Sequence, residues 1–393
     1  MTRWINSSMF LWKRHHCCPP WLKWHTRSLV SKCFATGFLS LFLLLFMLSM
    51  LNNFSWFPRK IVRDNIQLHN LRYFSSRKSH ANNSAKEVIL NHWQFQNGTK
   101  HLSERGTGFQ DMVARPQEIH HYGYIINEPT KCQEHSPFLI LLVAAIPWQL
   151  DSRQSVRQTW GQENIIPGVR ILRLFLLGRN AIQKRDNEQA IVDESQQYHD
   201  IIQQEYLDTY NNLTTKTLMG MKWVATYCPH AQYVMKTDSD MFVNTEYLVK
   251  VLLKPDLPPR TNYFTGYIMK GYAPNRNKHS KWYMPPDLYP GDLYPVFCSG
   301  TGYVFSGDLA EKIFKVSLTI RRLQLEDVYV GICLDKLGVA PVPPPKESDF
   351  NHWRVSYSDC TYNQIVTSHE FKPNELIRYW NQLQQNKHKC ANV

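Results

Sequence analysis

The sequence predicts an α/β fold in which a largely parallel sheet is covered by helices on both faces, and three observations carry that expectation. Residues 138–145 (FLILLVAA) form a short continuous apolar run, as expected for a strand buried on both faces. Two more such runs follow, at 169–178 (VRILRLFLLG) and 231–238 (AQYVMKTD). Segments with helical periodicity separate them, so strand and helix alternate along the chain.

The elements follow in order. Residues 151–160 read as a helix capped by Asp151 or Ser152, with Arg153, Arg157 and Trp160 along one side. The strand at 169–178 ends in a glycine turn, and 180–198 reads as a polar amphipathic helix. In 213–228, Leu218, Met221, Ala225 and Cys228 mark a buried helical stripe. After the third strand, 301–307 (TGYVFSG) reads as a strand and 327–337 as a helix stopped by Gly338. PPPKESD marks a loop, and 373–387 reads as a terminal helix with proline at its start.

The chain has 393 residues, 43% of them apolar and 13% aromatic, which excludes a mainly disordered polypeptide. Its net charge of +13 is concentrated near the N-terminus. Six basic residues and no acid precede Phe34, and ten basic against six acidic residues lie in 52–130. Too little excess charge remains from Lys131 onward for a nucleic-acid-binding domain. Residues 34–51 carry no charge and are just long enough to span a bilayer. The basic leader is too long for a cleaved signal peptide and places the N-terminus in the cytosol, a type II arrangement. The expected organisation is a cytosolic tail at 1–33, a transmembrane signal anchor at 34–51, a polar lumenal stem at 52–130 and a folded domain at 131–393.

Cysteine usage agrees with a lumenal domain. Cys132, Cys228, Cys298, Cys333, Cys360 and Cys390 follow the apolar segment, an even number that allows up to three disulfides. No C-x-x-C is present among them, so a zinc site is not expected. Asn-x-Ser/Thr acceptors occur at Asn53, Asn82, Asn97 and Asn212, with Asn53 too close to the bilayer to be used.

Three motifs carry chemistry. Asp238 and Asp240 directly follow the third strand, where ligands bind in open α/β sheets. Carboxylates so spaced can share a hard divalent cation that neutralises a diphosphate, as a nucleotide-sugar site requires. An Asx turn ending the strand is the blander reading. Glu326 and Asp327 open a helix, where an ionised carboxylate is favoured and could act as a general base; simple capping is the alternative. Residues 297–303 (FCSGTGY) are small enough for backbone to approach a ligand, or for a tight turn. Upstream, Trp282, Tyr283, Tyr289 and Tyr294 could face a sugar ring or fill a core.

In combination, RQSVRQTWG (153–161), FLLG (175–178), LDTYNNLTTKT (207–217), KTDSDMFVN (236–244), FCSGTGYVFSGDLA (297–310) and LEDVYVGICL (325–334) resemble the animal β-1,3-glycosyltransferase family. YAPNRNKHSKWYMPPDLYP (272–290) and TSHEFKPNELIRYWNQLQQNKH (367–388) look most like its β-1,3-galactosyltransferase members. The resemblance extends from about Tyr124 to the C-terminus. It implies a GT-A-like, Rossmann-type nucleotide-sugar-binding domain, and an inverting enzyme of the Golgi lumen that uses Mn²⁺. That enzyme would move galactose from UDP-galactose to the 3-hydroxyl of a terminal N-acetylglucosamine on glycoprotein or glycolipid. By the same resemblance Asp240, Asp238 and His369 hold the metal. Asp327, with Glu326 beside it, is the base. Arg153, Arg157, Lys236 and Asp238 line the donor, and Trp282, Tyr283 and Tyr294 the acceptor. Glycans are expected at Asn82, Asn97 and Asn212. The chain departs from the family pattern at Ile146 and Trp148, where Trp148 could crowd the uracil pocket, and at Thr215, where an apolar residue is usual. The competing readings are an N-acetylglucosaminyltransferase of the same fold and a noncatalytic lumenal glycan-binding protein or chaperone.

Overall fold

Side chains of the strand β2 (Leu139–Ala144) enter two different cores, as a period of two dictates for a strand covered on both faces. Ile140 and Leu142 join one cluster with Leu174, Met221 and Trp223; Leu139, Leu141 and Val143 join the other with Phe175, Met235 and Trp160. This computed structural model describes residues 122–180 and 185–390, all within one compact unit, Thr99–Val393. The remaining segments of the sheet are β1 (Tyr124–Ile126), β3 (Ile171–Arg179), β4 (Ile201–Leu207), β5 (Tyr233–Asp238), β7 (Phe264–Met269) and β8 (Phe297–Ser306). Its order is β1-β4-β3-β2-β5-β8-β7. Strands β4, β3, β2 and β5 run parallel, and β1, β8 and β7 join antiparallel at the two flanks. A small antiparallel pair joins β6 (Phe242–Val243) to β9 (Thr367–Ser368).

Six main helices cover the sheet: α1 (Leu150–Gln158), α2 (Arg185–Tyr198), α3 (Leu213–Tyr227), α4 (Asp308–Ser317), α5 (Glu326–Lys336) and α6 (Pro373–Asn386). Among the described residues the expected helices and strands of the folded domain are present, with several boundaries moved. α1 starts one residue early, with Gln149 rather than Asp151 or Ser152 at its N-cap. β1 pairs with β4 before the expected domain boundary at residue 131, so the fold begins at least as early as Tyr122. The tail, the anchor at 34–51 and most of the stem lie outside the described residues, as do Asn82 and Asn97. Among the described residues no helix is long and apolar enough to cross a membrane.

Among the described residues two disulfides form, Cys132–Cys228 and Cys360–Cys390, fewer than the three that the six cysteines there allow. Cys298 and Cys333 are free and buried. Both lie in one apolar cluster where β8 meets α5, and burial pushes the Cys298 thiol up to about 12. Gly331 permits that contact, because a Cβ there would fall 2.5 Å from Phe297 Cβ.

Charge is also buried beside the sheet. Arg153 donates to both carboxylate oxygens of Glu194 at 2.8 and 2.6 Å and to the Ile146 carbonyl at 2.8 Å. Arg157 bridges Glu194 and Asp200, and Arg173 donates to Asp200 at 2.5 and 3.0 Å. The Arg157 guanidinium stacks 4.0 Å from the Tyr198 ring centroid. Such a network holds the α1 and α2 ends against the sheet, and breaking one member leaves the others uncompensated. Asp200 is fully buried between two arginines. Asp200→Asn should therefore cost about 3 kcal/mol and lower Tm by roughly 6–12 °C. Scanning calorimetry checks this, and an unchanged Tm would show that the network does not hold the helices.

Candidate active site

β5 is an interior strand between β2 and β8 and delivers Lys236, Thr237 and Asp238 to the carboxyl edge of the sheet. Ligands bind beyond such edges in open α/β sheets. The register pairs Lys236 with Tyr303 and Thr237 with Gly302 on β8, so the small residues of 299–302 lie beside the two aspartates. α5 then begins opposite β8, bringing Glu326 and Asp327 to the same edge.

Lys236 joins these parts. Its buried ammonium donates to Asp238 Oδ1 at 2.8 Å and to the Gly300 carbonyl at 2.5 Å, and lies 3.5 Å from Glu326 Oε2. Burial opposes its charge, but the Asp238 and Glu326 carboxylates outweigh burial and raise its pKa above the ordinary lysine value. Glu326 is buried and accepts a 2.5 Å hydrogen bond from the Tyr303 hydroxyl. Its pKa is raised, first by burial, against the pull of Lys236. Asp327 keeps partial access to solvent. Its Oδ1 accepts from the Val328 N–H at 2.9 Å and its Oδ2 from the Gly300 N–H at 3.3 Å. Burial raises its pKa and those two N–H groups oppose the rise. Gly300 is needed for this approach, since a Cβ there would lie 2.9 Å from Glu326 Oε2.

Asp240 lies two residues beyond the strand, about half exposed, with its Oδ2 3.4 Å from His369 Nε2. The pairing of β6 with β9 produces this contact, and the Phe371 N–H closes it by donating to the Asp240 carbonyl at 2.8 Å. His369 Nδ1 is 3.1 Å from the His352 carbonyl. Against burial, Asp240 favours a proton on Nε2 and raises the His369 pKa; a proton on Nδ1 satisfies the His352 carbonyl, so a cation that displaces the Nε2 proton would find the tautomer a metal ligand needs. Asp238, with its side chain about one-third exposed, stands next to this pair. The nitrogen and carboxylate donors therefore fit a divalent ion of Mn²⁺ type. No cluster of three or more such residues among the described ones closes a site by itself. The remaining positions would fall to substrate oxygens, as is usual for cations bound at diphosphates.

Other expected site residues are placed differently. Arg153 and Arg157, expected along the donor, are buried and their charges are paired with Glu194 and Asp200. Lys236 is central, but its ammonium faces carboxylates and organises the acids. Trp282 is half exposed, as an acceptor-binding ring should be, and Tyr283 is partly buried. Tyr294, also expected at the acceptor, is buried against Tyr289 and Phe297 with its hydroxyl unpartnered. Asn212 donates its amide to the Leu207 carbonyl at 2.9 Å, and Thr214 of its acceptor triplet is buried against the Leu323 carbonyl. Trp148 is exposed after β2 and fills no interior pocket. The unusual Thr215 is satisfied by Arg322, which donates to its hydroxyl at 3.1 Å.

Tyr303 and His352 were not expected. Tyr303 lies inside the FCSGTGY motif, but only the β5–β8 register reveals that its hydroxyl supports Glu326. His352 packs 4.2 Å from the Tyr267 ring and holds His369 by backbone, a contact without any local sequence signal.

A galactosyltransferase family model matches residues 151–345. A model of the β-1,3-galactosyltransferase 2 N-terminus matches 68–140. β-1,3-Galactosyltransferase 2 of Mus musculus and of Homo sapiens are each 58% identical to this chain, across 98% of it and 97% of the relative. β-1,3-Galactosyltransferase 1 of Mus musculus is 51% identical across 73% of this chain and 86% of the relative.

The raised carboxylates give the site a measurable signature. Folded Asp238, Glu326 and Asp327 bind protons more tightly than the unfolded chain does. Unfolding therefore releases protons just above the ordinary carboxylate range, and these groups lower stability as pH rises through that window. Lys236→Met removes the compensating cation. It should cost about 3 kcal/mol near neutral pH and less near pH 5. Urea midpoints at the two pH values check this, and equal losses would show that the ammonium does not balance the acids.

Proposed function

The chain belongs to the β-1,3-galactosyltransferase family, and from that premise we propose that the crevice at the carboxyl edge of β5 transfers galactose from UDP-galactose to the 3-hydroxyl of a terminal N-acetylglucosamine. β-1,3-Galactosyl transfer is the activity of the family. The observation that carries the assignment of the site is the bridge formed by Lys236 and Gly300. It brings a half-exposed Asp240–His369 pair and a raised, partly accessible Asp327 to one edge of the sheet. A GT-A-like nucleotide-sugar-binding domain accounts for this edge and for the mixed sheet behind it.

In this reading Asp240 and His369, with Asp238 beside them, would hold Mn²⁺. When bound, the cation supplies charge neutralisation for the leaving UDP. Asp327 accepts the proton of the acceptor 3-hydroxyl as that oxygen forms its bond to the anomeric carbon. The bond from that carbon to UDP breaks on the opposite face, so an α-linked donor yields a β-1,3 product. The Val328 and Gly300 N–H groups keep the Asp327 carboxylate in one orientation through the step. Glu326, fixed by Tyr303 and Lys236, anchors the N-terminus of α5 from behind. The two disulfides fit an oxidising compartment. With the uncharged segment 34–51 and the basic leader they support a type II anchor and a Golgi lumenal domain.

A donor screen with simple β-linked N-acetylglucosamine acceptors tests the reading. Radiolabel should enter product from UDP-galactose; label entering only from UDP-N-acetylglucosamine, on a β-galactoside acceptor run in parallel, would assign the chain to the other transferase class. Asp327→Asn should lower turnover by about 10²–10⁴ while UDP affinity, measured by calorimetry, changes little. Because burial raises the Asp327 pKa, wild-type turnover should fall on acidification at a pH above the ordinary aspartate value. Near-normal turnover of the Asn variant would remove Asp327 from the base role. Chelation should abolish transfer, with recovery on adding Mn²⁺; full activity in the chelator would exclude the metal assignment.

A further inference from the structure

The turn Tyr210–Asn212, between β4 and α3, bears one aromatic ring with no role in the fold's interior. Tyr210 is 45% exposed and Trp282 is 53% exposed. Single exposed aromatics are ordinary on protein surfaces. These two are neighbours, because one ammonium reaches both. The Lys281 ammonium lies 4.7 Å from the Trp282 ring centroid and 5.9 Å from that of Tyr210.

Their position is fixed with respect to Asp327. The strap that leads into α5 is gripped on one side by the start of α3. Thr214 donates to the Leu323 carbonyl at 2.7 Å, and Arg322 donates to the Thr215 hydroxyl at 3.1 Å. Tyr210 stands in the turn immediately before that grip, and Asn212 pins the turn through the Leu207 carbonyl at 2.9 Å. On its other side the strap is tied to the loop of Trp282, because Gln324 donates to the Tyr283 carbonyl at 2.6 Å. The two rings thus flank the segment that ends at Glu326 and Asp327. The Tyr210 hydroxyl also senses the crevice. Its pKa is raised first by burial and then by Asp327, with smaller effects of Asp238 and Glu326.

Resting on the function proposed above and on the acceptor role that the family resemblance gives Trp282, we propose that Tyr210 is a further acceptor-binding residue, whose ring meets the apolar face of the acceptor sugar beside Trp282 and sets the 3-hydroxyl against Asp327. A pyranose needs a flat, partly desolvated surface of this kind, and the Lys281 ammonium at its rim offers a donor to the ring hydroxyls. The carboxylates alone would bind a hydroxyl without orienting the ring.

The test uses the full chain in detergent, loaded with Mn²⁺ and UDP, and a simple β-linked N-acetylglucosaminide as probe. Saturation-transfer NMR measures glycan binding independently of turnover, and steady-state kinetics give both KM values. Tyr210→Ala should raise the acceptor KM about tenfold and abolish most of the saturation transfer, while the UDP-galactose KM moves less than about twofold. Tyr210→Phe keeps the ring and should restore most acceptor binding, which a merely structural loss would not allow. Trp282→Ala should act in the same direction, and the double Ala variant should lose less than the sum of the two. Unchanged acceptor binding in Tyr210→Ala, or equal rises in both KM values, would overturn the role of Tyr210 and leave the function standing. A wild-type chain that binds no glycan and transfers nothing would overturn the functional reading and the role of Tyr210 with it.

Discussion

Burying the Lys236 ammonium under a sheet edge is unfavourable unless carboxylates surround it, and that requirement organises the rest of the site. Asp238 comes from the same strand, Glu326 from α5 and the Gly300 carbonyl from β8. Three elements distant in sequence are thereby drawn to one cation. Asp327 follows Glu326 directly, so fixing Glu326 also fixes the carboxylate that faces the crevice. The Tyr303 hydroxyl completes the arrangement from β8 and uses the remaining Glu326 oxygen. A buried acid held this tightly is suited to positioning; its accessible neighbour is suited to proton transfer.

A second buried charge cluster, Arg153, Arg157 and Arg173 with Glu194 and Asp200, serves the scaffold. Arginine near a nucleotide-sugar motif invites assignment to phosphate, since its fork suits phosphate as well as carboxylate. Its partner decides, and here both partners are acids of the same domain. Glu194 lies near the end of α2 and Asp200 just before β4, two acids inside a polar segment where nothing local marks them as buried.

Much of the fold was legible because apolar runs of six to nine residues can form only buried strands or buried helices, and flanking turns decided between them. β2, β3 and β5 were legible for that reason. β4 was not, because Gln203 and Gln204 interrupt it; both are buried, and Gln203 is satisfied by the Gly178 carbonyl at 2.9 Å. β1 was hidden in a segment with stem-like composition. In the site, the aspartates and the Glu326–Asp327 pair announced themselves by their place at element ends. His369 did not, because its contact with Asp240 depends on the two-residue pairing of β6 with β9. Tyr294 and Trp282 could not be told apart in the sequence, because aromatic residues in a Pro-rich stretch look alike until packing separates buried rings from exposed ones.

The two sides of the crevice place opposite demands on carboxylates, and the fold meets them with different degrees of burial. A cation ligand must stay ionised and reachable, and Asp240 is half exposed beside a histidine whose other nitrogen is already occupied. A base must hold a proton long enough to take it from a hydroxyl, which favours a pKa raised by burial, as at Asp327. Lys236 keeps these demands from colliding. Without a cation between them, the acids of β5 and α5 would repel one another across the same edge, and one of them would keep its proton at working pH. The ammonium lets Asp238 and Glu326 share one counter-charge, which leaves Asp327 free to gain and lose a proton without disturbing the metal side.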